Sequence, residues 1–171
     1  MDDRYPDHHA GRRLGPLHVR CYTAGEDQKA GEKGTFVTLF SLTGKVIRGN
    51  QLGRKLGYPT ANIDTGNDPA TLTDKTGIYA ATVDVAGTTW PGVASMGFRP
   101  TLAKSSFSIE VHIFGFSEDI YDQTITIHFH ARLRDEKKFS SLEELTSQMN
   151  RDAAEARLLL GTLFQTDPDP D

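Results

Sequence analysis

From Gly77 to Arg132 the chain is cut into short apolar and β-branched runs by turn residues, and this confines it to a small antiparallel β fold. Gly77 to Ala86 reads as a strand. Ile78, Ala80, Thr82 and Asp84 lie on one face, and Tyr79, Ala81, Val83 and Val85 on the other. Gly87-Thr88 reads as a hairpin turn and Thr88 to Met96 as the returning strand, with Pro91 demoting part of it to an edge or a bulge. Gly97 to Ser106 reads as a loop, Phe107 to Phe114 as a strand and Gly115 to Asp122 as a turn region. In Gln123 to Arg132, Ile125, Ile127 and Phe129 face one way, and Thr124, Thr126, His128 and His130 the other. Upstream, Thr35 to Leu42 and Thr43 to Gly49 form one strand interrupted near Gly44, or two short ones. Short strands joined by hairpins and Gly-rich loops predict a closed antiparallel barrel.

The end of the chain changes period. Ser141-x-x-Glu144 is a capping box. Leu142, Leu145, Met149, Ala153, Ala156, Leu160 and Leu163 recur at three- and four-residue steps, the stripe of one long helix packed on the barrel. Residues 165–171 read as a frayed Pro/Asp tail. Residues 1–34, polar and without period, read as a disordered extension. The domain is thus expected over residues 35–164. His8-His9 lacks the further ligands of a metal site, and His128-x-His130 reads as a polar outer face.

Charge and cysteine usage exclude some functions. The net charge of −4 implies no general nucleic-acid binding. One cysteine, Cys21, forbids an internal disulfide and fits a reducing compartment. No apolar run approaches the roughly 18 residues of a membrane span. The N-terminus has no hydrophobic region of a secretory signal. The expectation is a cytoplasmic monomer without nucleic-acid or membrane partners.

Against this acidic background, Arg48 to Asn62 stands out. It holds Gly49, Gly53 and Gly57, the cations Arg48, Arg54 and Lys55, and ends in Pro59-Thr60-Ala61-Asn62. Glycines let a backbone approach an anion closely, and the cations supply charge. The segment matches neither the P-loop nor the dinucleotide-fold formula. A phosphate loop and an ordinary Gly-rich turn both fit its chemistry. Thr60 and Asn62 are neutral oxygen donors two apart, which an extended chain points the same way, toward one hard cation. Ile63 to Lys75 then reads as a long surface loop, placed to close over a ligand.

The spacing Gly-x-x-x-Gly-x-x-x-Gly-Tyr-Pro-Thr-Ala-Asn resembles the nucleotide loop of riboflavin kinases. Four later stretches are similar to that family in the same order: Gly77-Ile78-Tyr79-Ala80, Gly97-Phe98-Arg99-Pro100-Thr101, Ile109 to Ile113, and Arg132 to Phe139. The resemblance covers about residues 40 to 160. It implies a small Greek-key barrel and phosphorylation of the riboflavin 5′-hydroxyl by ATP, giving FMN and ADP, with Mg²⁺. Glu110 would be the general base, although by pattern alone it is an exposed strand glutamate. Thr60 and Asn62 would face the metal. Gly49, Arg54, Lys55, Gly57, Thr60, Ile113 and Tyr121 would bind the nucleotide; Arg134, Lys137 and Phe139 would hold the flavin. Arg99 has no assigned role, and His112 shares the face of Glu110.

Two departures matter. Gln51 and Leu52 stand where many relatives carry more glycine. The 40 residues before the barrel are too few for the adenylyltransferase half of a bifunctional FAD synthetase. Two alternatives follow: the kinase domain of such an enzyme, or a flavin- or nucleotide-binding module without catalysis.

Overall fold

The computed structural model describes residues 38–49, 51–100 and 105–161. The expectations for residues 1–37, for Cys21 and His8-His9, for Leu163 and for the tail lie outside them.

Six strands close into an antiparallel barrel: β1 (Phe40–Ile47), β2 (Ala61–Asp64), β3 (Gly77–Val85), β4 (Thr88–Pro100), β5 (Ser105–Ile113) and β6 (Thr124–Arg134). Around the barrel they run β1-β2-β5-β4-β3-β6. β3, β4 and β5 form a meander and β6 returns beside β3, which is a Greek key. A one-turn helix, α1 (Leu52–Lys55), joins β1 to β2, and α2 (Leu142–Leu160) follows β6.

The alternation seen in the sequence sorts side chains as expected. Tyr79, Ala81 and Val83 of β3, Ile109, Val111 and Ile113 of β5, and Ile125, Ile127 and Phe129 of β6 fill the barrel. Phe129 stacks on Phe40 with ring centroids 4.4 Å apart. The β3–β4 turn is Ala86-Gly87, with φ of 48° and 83°, the left-handed pair that matches strand twist. Pro91 sits just before β4 begins to pair with β5 at Gly92, where its missing N–H leaves no gap in that ladder.

Several boundaries differ from the sequence reading. β1 is one unbroken strand through Gly44, which pairs with Ile125. Gly97 to Pro100 and Ser105-Ser106 are strand rather than loop, Gly97 to Pro100 pairing in register with Ser108 back to Ser105. Of the loop expected over Ile63 to Lys75, Ile63 and Asp64 belong to β2, and Pro69–Lys75 is a 3-10 helix that buries Leu72. Asp68 caps that helix, its carboxylate accepting from the Ala70 N–H at 2.9 Å.

The register of β3 with β6 shifts at Ala80/Ala81 and again at Ile78/Tyr79. Such bulges reverse the facing of a strand. Ile125, Ile127 and Phe129 point into the barrel, but Ala131 and Leu133, of the same parity, pack outward against α2. Ala80 faces the same way and meets Ala153, Ala156 and Leu160 of α2; small side chains on both sides bring the helix close. Ser141 caps α2 by accepting from the Glu144 N–H at 3.1 Å, while the Glu144 carboxylate accepts from the N–H of Ser140, one residue earlier than a capping box requires. Leu142 is exposed, so the apolar stripe begins later than its spacing suggests.

Candidate active site

Two cavities open on either side of Thr60, which lines both. The first lies between the outer face of β4–β5, the segment after β6, and α2. Ser95, Glu110 and His112 form its floor, and Arg134, Lys137 and Phe139 its wall. The second, at one mouth of the barrel, is bounded by Arg48, Arg54, Ile113, Asp119 and Tyr121.

The strand pattern explains this division. Ile109, Val111 and Ile113 point into the barrel, so Ser108, Glu110 and His112 point outward beneath α2. Ala61 and Ile63 pack on the barrel core, which turns Thr60 and Asn62 away from it. Ala61 pairs with Val111 and Asn62 with Glu110 in register, so this short ladder brings Thr60 to Glu110. The Thr60 hydroxyl donates to Glu110 Oε2 at 3.1 Å, and Glu110 is only 7% exposed. The exposed strand glutamate of the pattern reading is therefore a buried carboxylate, which must be hydrogen-bonded to be tolerated.

His112 steadies the same junction. Its Nδ1–H donates to the Pro59 carbonyl at 2.8 Å. Burial lowers its pKa below the usual 6.5 and the Arg157 charge adds to this, outweighing the Pro59 bond that acts the other way. The ring stays neutral near pH 7, with the proton on Nδ1 and Nε2 bare. Tyr58 packs edge-on to His112, centroids 5.1 Å apart, and its hydroxyl donates to Asn150 of α2.

The Gly-rich segment is more ordered than a cradle. Gln51 takes φ 55° to start α1, in a region where glycine is favoured, and Gly57 takes φ 82° to leave it. The N–H groups of Leu56, Gly57 and Tyr58 are spent on carbonyls of Leu52, Gly53 and Arg54. An anion here would meet side chains more than these amides. A Cβ at Gly49 would push the Asn62 side-chain amide from its place.

The expected site residues divide accordingly. Arg54, Thr60, Ile113 and Tyr121 line the mouth cavity; Glu110, Arg134, Lys137 and Phe139 share the other. Gly49, Lys55, Gly57 and Asn62 line neither. Arg48, which carries no role in the resemblance, places its guanidinium 4.4 Å from the centre of the Tyr121 ring. Arg134 is engaged by Asp152 of α2 through Nε at 2.9 Å and Nη2 at 2.8 Å. The sequence reading passed over Asp152. Its signal was a carboxylate in step with Met149 and Ala156 on the apolar face of a helix.

For a hard cation the chain offers Thr60 Oγ1 and Asn62 Oδ1. Among the described residues, no group of three or more His, Cys, Asp or Glu could hold a metal. Two neutral oxygens fit magnesium in company with phosphate oxygens and waters, as that ion usually binds.

The chain matches the flavokinase family, riboflavin kinase, over residues 37–160. It is 40% identical over 150 residues to the bifunctional riboflavin kinase/FMN adenylyltransferase of Pseudomonas fluorescens, covering 87% of this chain and 47% of that one. For the Bacillus subtilis counterpart the identity is 37% over 120 residues, covering 68% and 37%. The chain thus spans less than half the length of these relatives. Among solved structures, riboflavin kinase from Trypanosoma brucei superposes with TM-score 0.52 at 26% identity, over 76% of this chain and 91% of that one. A structure described as a macrolide-efflux protein from Streptococcus pneumoniae superposes with TM-score 0.60 at 31% identity, over 70% and 38%. Among the described residues, no helix is long and apolar enough to cross a membrane. With a six-stranded Greek-key barrel, the Pro-Thr-Ala-Asn turn set against Glu110 and a family match across the whole described domain, the chain belongs to the riboflavin kinase family.

Proposed function

We propose that this chain transfers the γ-phosphoryl group of ATP to the 5′-hydroxyl of riboflavin, releasing FMN and ADP. The observation that carries this reading is the Thr60–Glu110 hydrogen bond at the junction of the two cavities. A phosphoryl acceptor must reach its donor in line, so the two substrates need adjoining sites with a base between them.

In this reading riboflavin occupies the cavity under α2, with its ring near Phe139 and Lys137 and its 5′-hydroxyl at Glu110. ATP occupies the barrel mouth, with its phosphates directed to Thr60 and charge supplied by Arg54. Glu110 accepts the hydroxyl proton as the new P–O bond forms. A base so placed typically contributes about 10²–10⁴-fold. Thr60 and Asn62 would hold magnesium together with the phosphates, and the ion would supply charge that offsets the charge on the transferred group. Thr60 can donate its hydrogen to Glu110 while its oxygen lone pairs face that ion. The enzyme is read as a cytoplasmic monomer. Because the relatives are bifunctional and about twice as long, a kinase module of an FAD synthetase is the second reading.

The test is turnover of riboflavin with ATP and Mg²⁺, flavins being separated by chromatography, with Glu110→Gln alongside. FMN from the wild type and a loss of about 10²-fold or more in the variant is expected. Equal FMN from both removes Glu110 from the base role. No FMN from folded wild type would leave only a binding module.

A further inference from the structure

Asp152 is 4% exposed and lies among Ala153, Ala156 and Leu160 at the contact of α2 with the barrel. A neutral side chain would pack there without desolvating a charge. Its carboxylate is instead fully engaged. Oδ1 accepts from Arg134 Nε at 2.9 Å and from Gln148 Nε2 at 2.9 Å, and Oδ2 accepts from Arg134 Nη2 at 2.8 Å. Two parallel bonds of this kind fix the plane of a guanidinium. From that plane Arg134 Nη1 donates to the Asp135 carbonyl at 2.9 Å, and the guanidinium carbon lies 5.7 Å from the Phe139 ring centre. Lys137 Nζ lies 5.7 Å from the same ring. The segment 135–139 belongs to no strand or helix, yet three of its residues, Glu136, Lys137 and Phe139, line the cavity.

We propose that Asp152 is a positioning residue: through Arg134 it orients Lys137 and Phe139, and so sets affinity for the flavin ring. Arg134 then acts as a strut whose charge is already matched. This deepens the proposed function and rests on it. The ring end of riboflavin is set by the pair, whereas the nucleotide mouth, lined by other residues, is not.

The experiment uses the full chain with Asp152→Asn, which keeps the shape and removes the charge, and Arg134→Lys, which keeps the charge and loses the fork. Riboflavin KM should rise about tenfold in Asp152→Asn and about threefold in Arg134→Lys, with ATP KM within about twofold and kcat within about threefold. Quenching of riboflavin fluorescence, titrated without ATP, should weaken by the same factors. A purely structural role would raise both KM values together. Unchanged riboflavin affinity in folded Asp152→Asn, or equal loss for both substrates, overturns the proposal. If Asp152→Asn does not fold, Arg134→Lys decides alone, and unchanged affinity there overturns it too. Fluorescence reads binding even where no FMN forms, so failure of the kinase reading is separable from failure of this one.

Discussion

Thr60 and Glu110 are 50 residues apart in sequence and share one hydrogen bond of 3.1 Å, made where β2 pairs with β5. That bond ties the last turn of the basic segment to the middle of a barrel strand. It gives the carboxylate a partner that is also an oxygen donor. A hydroxyl can serve two neighbours at once, which neither a methyl nor a carboxylate at position 60 would do.

Thr60→Val should therefore separate folding from chemistry. The β-branched shape is kept, but a buried acceptor on Glu110 loses a donor, so stability should fall by about 1–3 kcal/mol while the chain still folds. The expected outcome is a fall in kcat of about 10²-fold and a raised Mg²⁺ requirement, with riboflavin affinity unchanged. Thr60→Ser, which retains the hydroxyl, should recover most of the rate. Steady-state assays over a magnesium series check both.

At the barrel mouth, the guanidinium of Arg48 over the Tyr121 ring closes one side of the cavity. Asp119 holds the turn by accepting from the Tyr121 N–H at 3.0 Å. Arg48→Ala should raise ATP KM about tenfold and leave riboflavin KM within about twofold, since a stacked cation contributes about 1–2 kcal/mol where it is partly desolvated. Initial rates with each substrate varied in turn give the answer. Equal changes for both substrates would show that Arg48 acts on the fold rather than on the nucleotide.

The barrel was legible because its strands alternate in the sequence: Tyr79 to Val85 and Ile125 to Phe129 bury the side chains their period assigns. Of the residues that the motifs single out, Glu110 and Thr60 do meet, whereas Gly49, Lys55, Gly57 and Asn62 line neither cavity. What period could not supply was position relative to other strands. Gly97 to Pro100 reads as loop from its Gly and Pro, and becomes strand because β5 offers a partner in register. The bulges in β6 are equally silent, since a run of alternating residues carries no mark of where parity reverses. Asp152 was missed for a related reason. A lone carboxylate on an apolar helix face gains meaning only from Arg134, which the fold brings to it across 18 residues.

His112 predicts a pH effect of definite sign. Its folded pKa is lowered below the ordinary 6.5, chiefly by burial. The unfolded chain therefore binds its proton more readily, and stability falls as pH drops from 6.5 toward the folded value. Urea denaturation at pH 7.5 and at steps below 6.5 should show that loss in the wild type. His112→Gln, which can still donate to Pro59 and does not titrate, should show less of it. Asp84 acts in a separate window. Burial raises its pKa, but bonds from Thr89 and His128 outweigh this and lower it below 3.8, so its stabilisation is lost only in stronger acid.

Docking of α2 gives the last prediction. Ala80 is fully buried where β3 faces Ala153 and Ala156, and the helix approaches closely because all three side chains are small. Ala80→Leu adds volume that this contact cannot absorb. Overpacking of this kind costs about 1–3 kcal/mol, which thermal or urea unfolding would register. The helix also carries Asp152 and Gln148, so displacing it pulls the carboxylate from Arg134. Riboflavin affinity should therefore fall together with stability in Ala80→Leu, whereas in Ala80→Gly, which leaves the helix room to stay in place, stability should fall with riboflavin affinity kept. A stable Ala80→Leu with unaltered affinity would mean that the helix can shift outward without disturbing the flavin wall.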